Sequence, residues 1–254
     1  MTGHLVTDRA ATERRRVLAQ ARFETLAVLR NGEQLLVSVV LPVLVLLGLA
    51  LTSVPPLGPG PRIDVVAPGV LALCVLSSAF TGQAIATGFD RRYGVLRLLG
   101  TTPLGRRGLL AAKAVAVLGV VALQFAVLGG VALALGWEPA WGGIPAAVVT
   151  TVLGTWALVA LALLLGGTLR AEGVLALANL VWVLLLALGG TVLPVSRLPE
   201  PWQPVAQALP SGALGEGLRA ALGEGRVDLL SWLVLLVWAV LASVFAARLF
   251  RWSD

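Results

Sequence analysis

The sequence predicts an all-α membrane protein with six transmembrane helices, an N-terminal amphipathic interface helix, and short extracellular re-entrant helices between spans five and six. The composition, the spacing of the apolar segments and the distribution of arginine support this fold. Hydrophobic residues make up 58% of the 254-residue chain and charged residues 13%, whereas soluble domains carry about 25% charged residues. Each apolar segment approaches the roughly 20 residues that cross a bilayer. We therefore expect one membrane domain, residues 1–254, with no separate soluble unit.

The predicted elements follow one another with short connections. Arginines alternate with apolar residues over residues 7–33, which is typical of an amphipathic helix on the membrane surface. A solvated basic tail that only sets orientation is an equally good interpretation. The six spans are predicted at residues 35–51, 65–89, 109–135, 144–169, 174–195 and 229–247. Between the last two, residues 196–228 contain prolines and glycines that keep every apolar run shorter than a span. This favours re-entrant helices over an ordered surface loop.

The positive residues predict the orientation of the chain. Of the 19 lysines and arginines, fifteen lie in the two termini and the even-numbered connections. Because positive residues concentrate on the cytoplasmic side, both termini are predicted to be cytoplasmic in a multi-pass plasma (inner) membrane protein. Orientation accounts for the basic charge, so no nucleic acid partner is expected. Arginine far outnumbers the single lysine, Lys113, and together with abundant Ala, Gly, Leu and Val this suggests a high-GC bacterium.

The predicted spans lack charged residues in their central parts. Ion-driven transporters usually place such residues inside the membrane, so proton-coupled transport is disfavoured. With one histidine and one cysteine in the chain, we expect no catalytic, cofactor-binding or metal-binding residues. An intramembrane enzyme would have to use Asp90, Glu172 or Asp228 at the span ends. Among the uncharged polar residues, Gln83 and Asn179 are the best candidates to line a substrate path, because amides are costly in lipid. Hydrogen bonding between helices is the alternative role for both.

Residues 90–108 form a predicted cytoplasmic elbow between spans two and three. Val95, Leu98 and Leu99 share an apolar stripe on a short helix. Gly100 is predicted to end that helix with a positive φ, and Thr102 and Pro103 to begin the next one. An apolar stripe flanked by arginines suits a groove in a cytoplasmic ATPase domain. The candidate coupling residues are Asp90, Arg91, Arg92, Tyr93, Gly94, Val95, Leu98, Leu99, Thr102, Pro103 and Leu104.

At these residues the chain resembles the ABC-2 family of ATP-binding-cassette permeases, including the daunorubicin-resistance type. Three motifs support the resemblance: Asp90-Arg-Arg-Tyr-Gly-Val-Leu-Arg-Leu-Leu99, then Thr102-Pro-Leu104, then Ala112-Lys113 at the third span. The proline-rich segment 198–210 before Leu218-Arg219 is similar to the family's extracellular segment. The N-terminal amphipathic segment with Arg30-Asn-Gly-Glu33 is similar to its interface helix.

The resemblance implies a permease that pairs with a second copy or a paralogue, with each half docking a separate ABC ATP-binding subunit. It implies export of a hydrophobic or amphiphilic cargo, such as a drug, antibiotic or lipid, along a path lined by spans two and five. Antibiotic resistance is then one expected role. The chain has no phosphate-binding Gly-Lys-Ser/Thr loop, so ATP and Mg²⁺ would belong to the partner subunit. The alternative function is a non-transporting scaffold that assists assembly of another membrane complex.

Overall fold

The computed structural model describes residues 12–32, 36–52 and 60–250. Predictions for residues 7–11, 33–35, residues 53–59 of the first connection and residues 251–254 lie outside these ranges. Every regular element in the described ranges is helical. The longer helices are α1 (Glu13–Arg30), α2 (Leu41–Leu51), α3 (Arg62–Leu76), α4 (Gln83–Arg92), α5 (Val95–Gly100), α6 (Gly105–Ala134), α7 (Ile144–Gly166), α8 (Ala171–Leu188), α9 (Gln203–Ala208), α10 (Pro210–Glu224) and α11 (Leu229–Leu249).

Two π-helical turns lie within apolar helices. Leu36–Val40 precedes α2, and Ser77–Gly82 joins α3 to α4 into one continuous helix of residues 62–92. Five described helical segments are long and apolar enough to cross a membrane: 62–92, 107–134, 141–166, 171–188 and 229–249. The segment Leu36–Leu51 is equally apolar but shorter than 18 residues. The all-α membrane fold is therefore confirmed, whereas the sixth span stays a prediction.

Helix α7 occupies the centre of the bundle. It packs against α4, α6, α10 and α11, and glycines let its neighbours approach closely. A Cβ atom at Gly154 would lie 2.7 Å from Leu214 in α10, and one at Gly166 would lie 2.8 Å from the Ala84 carbonyl oxygen. Small residues at such contacts are the usual means of tight helix packing in membranes, where the solvent is as apolar as the helix surface.

Helix ends differ from the predicted spans at several positions. The second long helix begins at Arg62, three residues before the predicted start, and the third at Gly105 rather than residue 109. The fifth apolar helix ends at Leu188 instead of continuing to Val195. Gly190 follows with φ of +59°, a left-handed conformation that favours glycine and turns the chain away from the helix axis.

The connection between α8 and α11 contains two α-helices, of which α10 is largely buried. Helix α10 packs against α3, α7 and α11, and nearly all of its residues from Pro210 to Leu222 are buried. Arg219 on this helix donates hydrogen bonds to the carbonyl oxygens of Gly190 and Thr191 at 2.8 and 3.0 Å, and to Glu216 at 2.8 Å. These bonds fasten α10 to the end of α8. Whether α10 re-enters the membrane stays a prediction.

Candidate functional site

The predicted elbow forms two sharp breaks around the short helix α5. Gly94, which precedes α5, has φ of +76°, and Gly105, the first residue of α6, has φ of +66°. A residue with a Cβ atom is disfavoured in this left-handed region. The backbone N–H of Gly94 donates to the Arg91 carbonyl at 3.0 Å, which closes α4. The chain therefore leaves α4, forms one and a half turns of helix, and turns again into α6.

The turn after α5 differs from its prediction. Gly100 is the last residue of α5 and does not have a positive φ, and α6 begins at Gly105 rather than at Pro103. The reason is that the hydroxyl groups of Thr101 and Thr102 donate to the carbonyl oxygens of Leu98 and Leu99 at 2.7 and 2.6 Å. Thr102 thus satisfies the C-terminal end of α5 instead of capping α6, and no left-handed residue is needed at position 100.

The side chains of α5 divide into a buried and an outward-facing set. Leu96 is fully buried and Leu99 is half-buried against the same core. Tyr93 and Leu98 are 73% and 71% exposed, and Val95 and Arg97 are also exposed. We call Tyr93, Val95, Arg97 and Leu98 the elbow surface. Of the predicted apolar stripe, Leu99 thus packs on the core while Val95 and Leu98 face outward. Sequence reasoning missed the anchoring role of Leu96, although its three-residue spacing from Leu99 places both on one helix face.

The three charged residues at the start of the elbow, Asp90, Arg91 and Arg92, all have partners within the chain. Arg91 is buried and donates to the carbonyl oxygen of Leu169, just beyond α7. Arg92 forms an ion pair with Glu172 in the first turn of α8. These contacts fasten the end of α4 to the connection between α7 and α8. Arg91 and Arg92 therefore hold the base of the elbow in place.

Asp90, the remaining charged residue, belongs to a partly buried ionic cluster that the sequence did not reveal. The side chain of Lys113, two turns into α6, is only 2% exposed. Its Nζ lies 3.2 Å from Glu24 Oε2 in α1 and 3.4 Å from Asp90 Oδ2 in α4. We call these three residues the ion triad. A lysine is almost never this buried unless it is paired, so the triad ties α1, α4 and α6 together directly beneath the elbow.

The two candidate path residues lie on α4 and α8, which pack against each other. Gln83 is half-buried, and its Oε1 atom has no hydrogen-bond partner among the described residues. Asn179 is exposed on the outer face of α8, where its amide donates to the Leu175 carbonyl at 2.9 Å. Neither arrangement tests a role in cargo binding, so path lining stays a prediction for both.

A different amide, Gln124 in α6, bridges the two π-helical turns. Gln124 is 1% exposed and donates to the Ser38 carbonyl at 2.8 Å, while its Oε1 accepts from the Ser78 hydroxyl at 3.2 Å. Ser38 lies in the turn before α2 and Ser78 in the turn between α3 and α4. π-helical turns are uncommon and frequently mark functional positions. The hydrophobic periodicity of the sequence does not predict these π-helical turns, because the local shift in backbone hydrogen bonding leaves the apolar pattern intact.

Taken together, these helices define a multi-pass all-α membrane protein with an anchored, outward-facing elbow between two of its long helices. The family model of the ABC-2 type transporter matches residues 15–222, from α1 through most of α10. The chain therefore belongs to the ABC-2 type transporter family and is a permease component of such a transporter. A search of curated protein sequences finds no match. The daunorubicin-resistance subtype stays a prediction.

Proposed function

We propose that this chain is the membrane-spanning subunit of an ATP-binding-cassette exporter. It moves a hydrophobic or amphiphilic cargo, drug-like or lipid-like, across the plasma membrane, and a separate ATP-binding subunit with Mg²⁺ supplies the energy. Both termini and the elbow face the cytoplasm in this proposal, as the arginine distribution indicates. The observation on which the proposal depends most is the elbow surface, which presents exposed apolar side chains outside the five long apolar segments.

The elbow surface is suited to docking because it is apolar, basic at one edge and fixed in position. Tyr93 and Leu98 expose about three quarters of their surface, and an aromatic and a leucine side chain can fill a groove of a partner. Leu96 holds α5 against the bundle from the opposite side. An anchored helix loses little conformational freedom when a partner binds, which favours affinity.

The ion triad gives the elbow a direct connection to the rest of the bundle. A displacement of α5 by the ATPase moves the end of α4 through the two-residue connection at Tyr93–Gly94. Asp90 at that end is paired with Lys113 of α6, which is in turn paired with Glu24 of α1. We propose that these three helices move as one unit when the ATPase subunits close.

A second permease copy or a paralogue completes the transporter in this proposal. Helix α8 leaves an extended apolar face exposed, with the Asn179 amide among the exposed residues Leu175, Leu180, Val183 and Leu184. A primary amide facing lipid is costly, and a second copy over this face would cover it. The cargo path then lies between the two copies, next to α8 and α4.

The test of the docking proposal replaces Leu98 by Asp and measures copurification of the ATP-binding subunit and ATP-dependent cargo movement. Leu229→Asp is the matched control, because Leu229 is 72% exposed at the start of α11 and lies on the opposite side of the membrane in the proposed orientation. Loss of a central apolar contact weakens a typical interface about tenfold or more. We expect that loss for Leu98→Asp only, with both variants inserted normally.

Two results would contradict the proposal. Wild-type copurification by the Leu98→Asp variant would remove the docking role of the elbow surface. A complex that copurifies with an ATPase but moves no cargo would favour the scaffold alternative.

A further inference from the structure

A crevice of about 200 Å³ lies between the first turns of α6, the end of α7 and the last turns of α11. Its floor is made by Leu163 and Phe250, which are 3% and 5% exposed. The Phe250 ring is fixed there by a close approach to Gly167, where a Cβ atom would lie 2.2 Å from the ring. Leu110, Val244 and Ala247 form apolar walls. The crevice is therefore a formed, apolar feature of the helix packing.

The crevice opens on the outer surface of the helix bundle. Val244 and Ala247 on its rim are exposed, and they continue into the exposed apolar face of α11 that includes Leu241 and Phe245. Its volume is below the roughly 300 Å³ at which pockets begin to hold drug-sized molecules. The crevice is therefore too small for a drug-sized molecule, whereas a segment of an acyl chain entering from the bilayer fits.

Arg107 stands at the mouth of this crevice. Its side chain is exposed, and it makes no ion pair within the part of the chain that the structure describes. Asp90 near the end of α4 and Glu172 in the first turn of α8 are paired with Lys113 and Arg92, and no acidic residue among those described lines the crevice. An arginine without a carboxylate partner is a strong bidentate ligand for phosphate.

We propose that the crevice binds one anionic phospholipid of the cytoplasmic leaflet, with an acyl segment between α6 and α11 and the phosphate on Arg107. This proposal depends on the orientation given under the proposed function. Basic pockets between transmembrane helices on the cytoplasmic side are suited to acidic lipid head groups, because the surface potential and the local arginine act in the same direction. The lipid covers Arg107 and the apolar rim together and fills the space between α6 and α11.

Native mass spectrometry of the full-length chain tests this proposal. The protein is purified from vesicles that contain equal amounts of phosphatidylglycerol and phosphatidylcholine, and the retained lipids are counted. We expect the wild type to retain phosphatidylglycerol over phosphatidylcholine by about fivefold, the factor for one basic residue near the surface. Arg107→Gln should lose this preference, and Arg107→Lys should keep most of it. Ala247→Trp, which fills the crevice, should reduce the number of retained lipids of both kinds.

The matched control is Arg248→Gln. Arg248 is also exposed, lies on the last turn of α11 and does not line the crevice, so its loss should leave the preference unchanged. An unchanged preference in Arg107→Gln would overturn the proposal, and so would an equal loss in Arg248→Gln, which would indicate general surface electrostatics. Retention of lipid by Ala247→Trp would place the lipid elsewhere. The experiment requires no ATPase subunit, so its failure is distinct from failure of the docking proposal.

Discussion

Replacing Lys113 by Met should destabilise the protein more than the loss of any exposed ion pair. The Nζ atom lies 3.2 Å from Glu24 and 3.4 Å from Asp90. At the effective dielectric constant of about 20 that suits protein sites, each separation corresponds to an attraction of about 5 kcal/mol. Desolvation of the lysine and repulsion between the two carboxylates offset much of this. Removing one partner of a buried pair typically costs about 3–5 kcal/mol.

The lower end of this range applies here because the Asp90 side chain is 34% exposed, and water screens its charge. A loss of about 3 kcal/mol corresponds to a fall in melting temperature of about 6–12 °C for a protein of this size. The assay is thermal unfolding in detergent, followed by size-exclusion chromatography with fluorescence detection. Arg92→Met is the control, because Arg92 and Glu172 are 49% and 69% exposed. An exposed pair contributes about 1 kcal/mol or less, so the control should lose less than about 4 °C.

A triple variant distinguishes electrostatics from packing. Lys113→Met combined with Glu24→Gln and Asp90→Asn leaves no uncompensated charge at the site, so we expect it to recover at least half of the lost melting temperature. Two results would contradict this prediction: a Lys113→Met variant that melts at the wild-type temperature, or a triple variant that is no more stable than the single one. In either case the triad would not hold α1, α4 and α6 together.

Three further substitutions test other parts of the structure by the same unfolding assay. Gln124→Leu removes the hydrogen bonds to Ser38 and Ser78 and should reduce the free energy of unfolding by about 1 kcal/mol, at roughly 0.6 kcal/mol per bond in a membrane. Gln83→Leu is the control and should cost less, because Gln83 Oε1 has no described partner. Equal losses in the two variants would contradict the bridging role of Gln124. Gly94→Ala should destabilise by about 1–2 kcal/mol because of its positive φ alone, since no atom lies within 4 Å of the added Cβ. Gly129→Ala, with similar free space in the last two turns of α6, should be neutral or stabilising. A Gly94→Ala variant as stable as the wild type would argue against the left-handed turn. Gly143→Ala places a Cβ atom 1.8 Å from the Ala221 carbonyl oxygen and should reduce the free energy of unfolding by about 1–3 kcal/mol through overpacking. A variant with wild-type stability would indicate that α10 is not packed closely on the start of α7.

The apolar pattern was sufficient to predict the fold because bilayer thickness constrains helix length strongly. Runs such as 144–169 and 229–247 therefore lie close to the observed helices α7 and α11. The fifth predicted span is too long because hydropathy does not record the turn at Gly190, after which Val192 and Leu193 are apolar but not helical. Side-chain hydropathy determines where an apolar run ends, whereas backbone conformation determines where a helix ends.

The elbow was predictable in place but not in detail. Its glycines, prolines and arginines indicated a break between two helices. Which of its residues pack on the bundle and which stay exposed depends on tertiary contacts. The sequence indicated that Asp90 is part of a docking motif, but only the packing of the helices reveals the ion triad. Along the chain, Lys113 is 23 residues from Asp90 and 89 residues from Glu24. Leu96 and Leu98 are chemically identical, and only their position relative to the bundle makes one an anchor and the other exposed.

The central claim is that the elbow surface receives the ATP-binding subunit. A photo-crosslinking amino acid at position 98, introduced in cells that produce both subunits, tests this contact in the intact membrane. We expect a covalent product between the permease and the ATP-binding subunit from position 98, and none from position 229, which is equally exposed in the permease. A complex that copurifies but yields no product from position 98, or one that yields it equally from position 229, would contradict the claim.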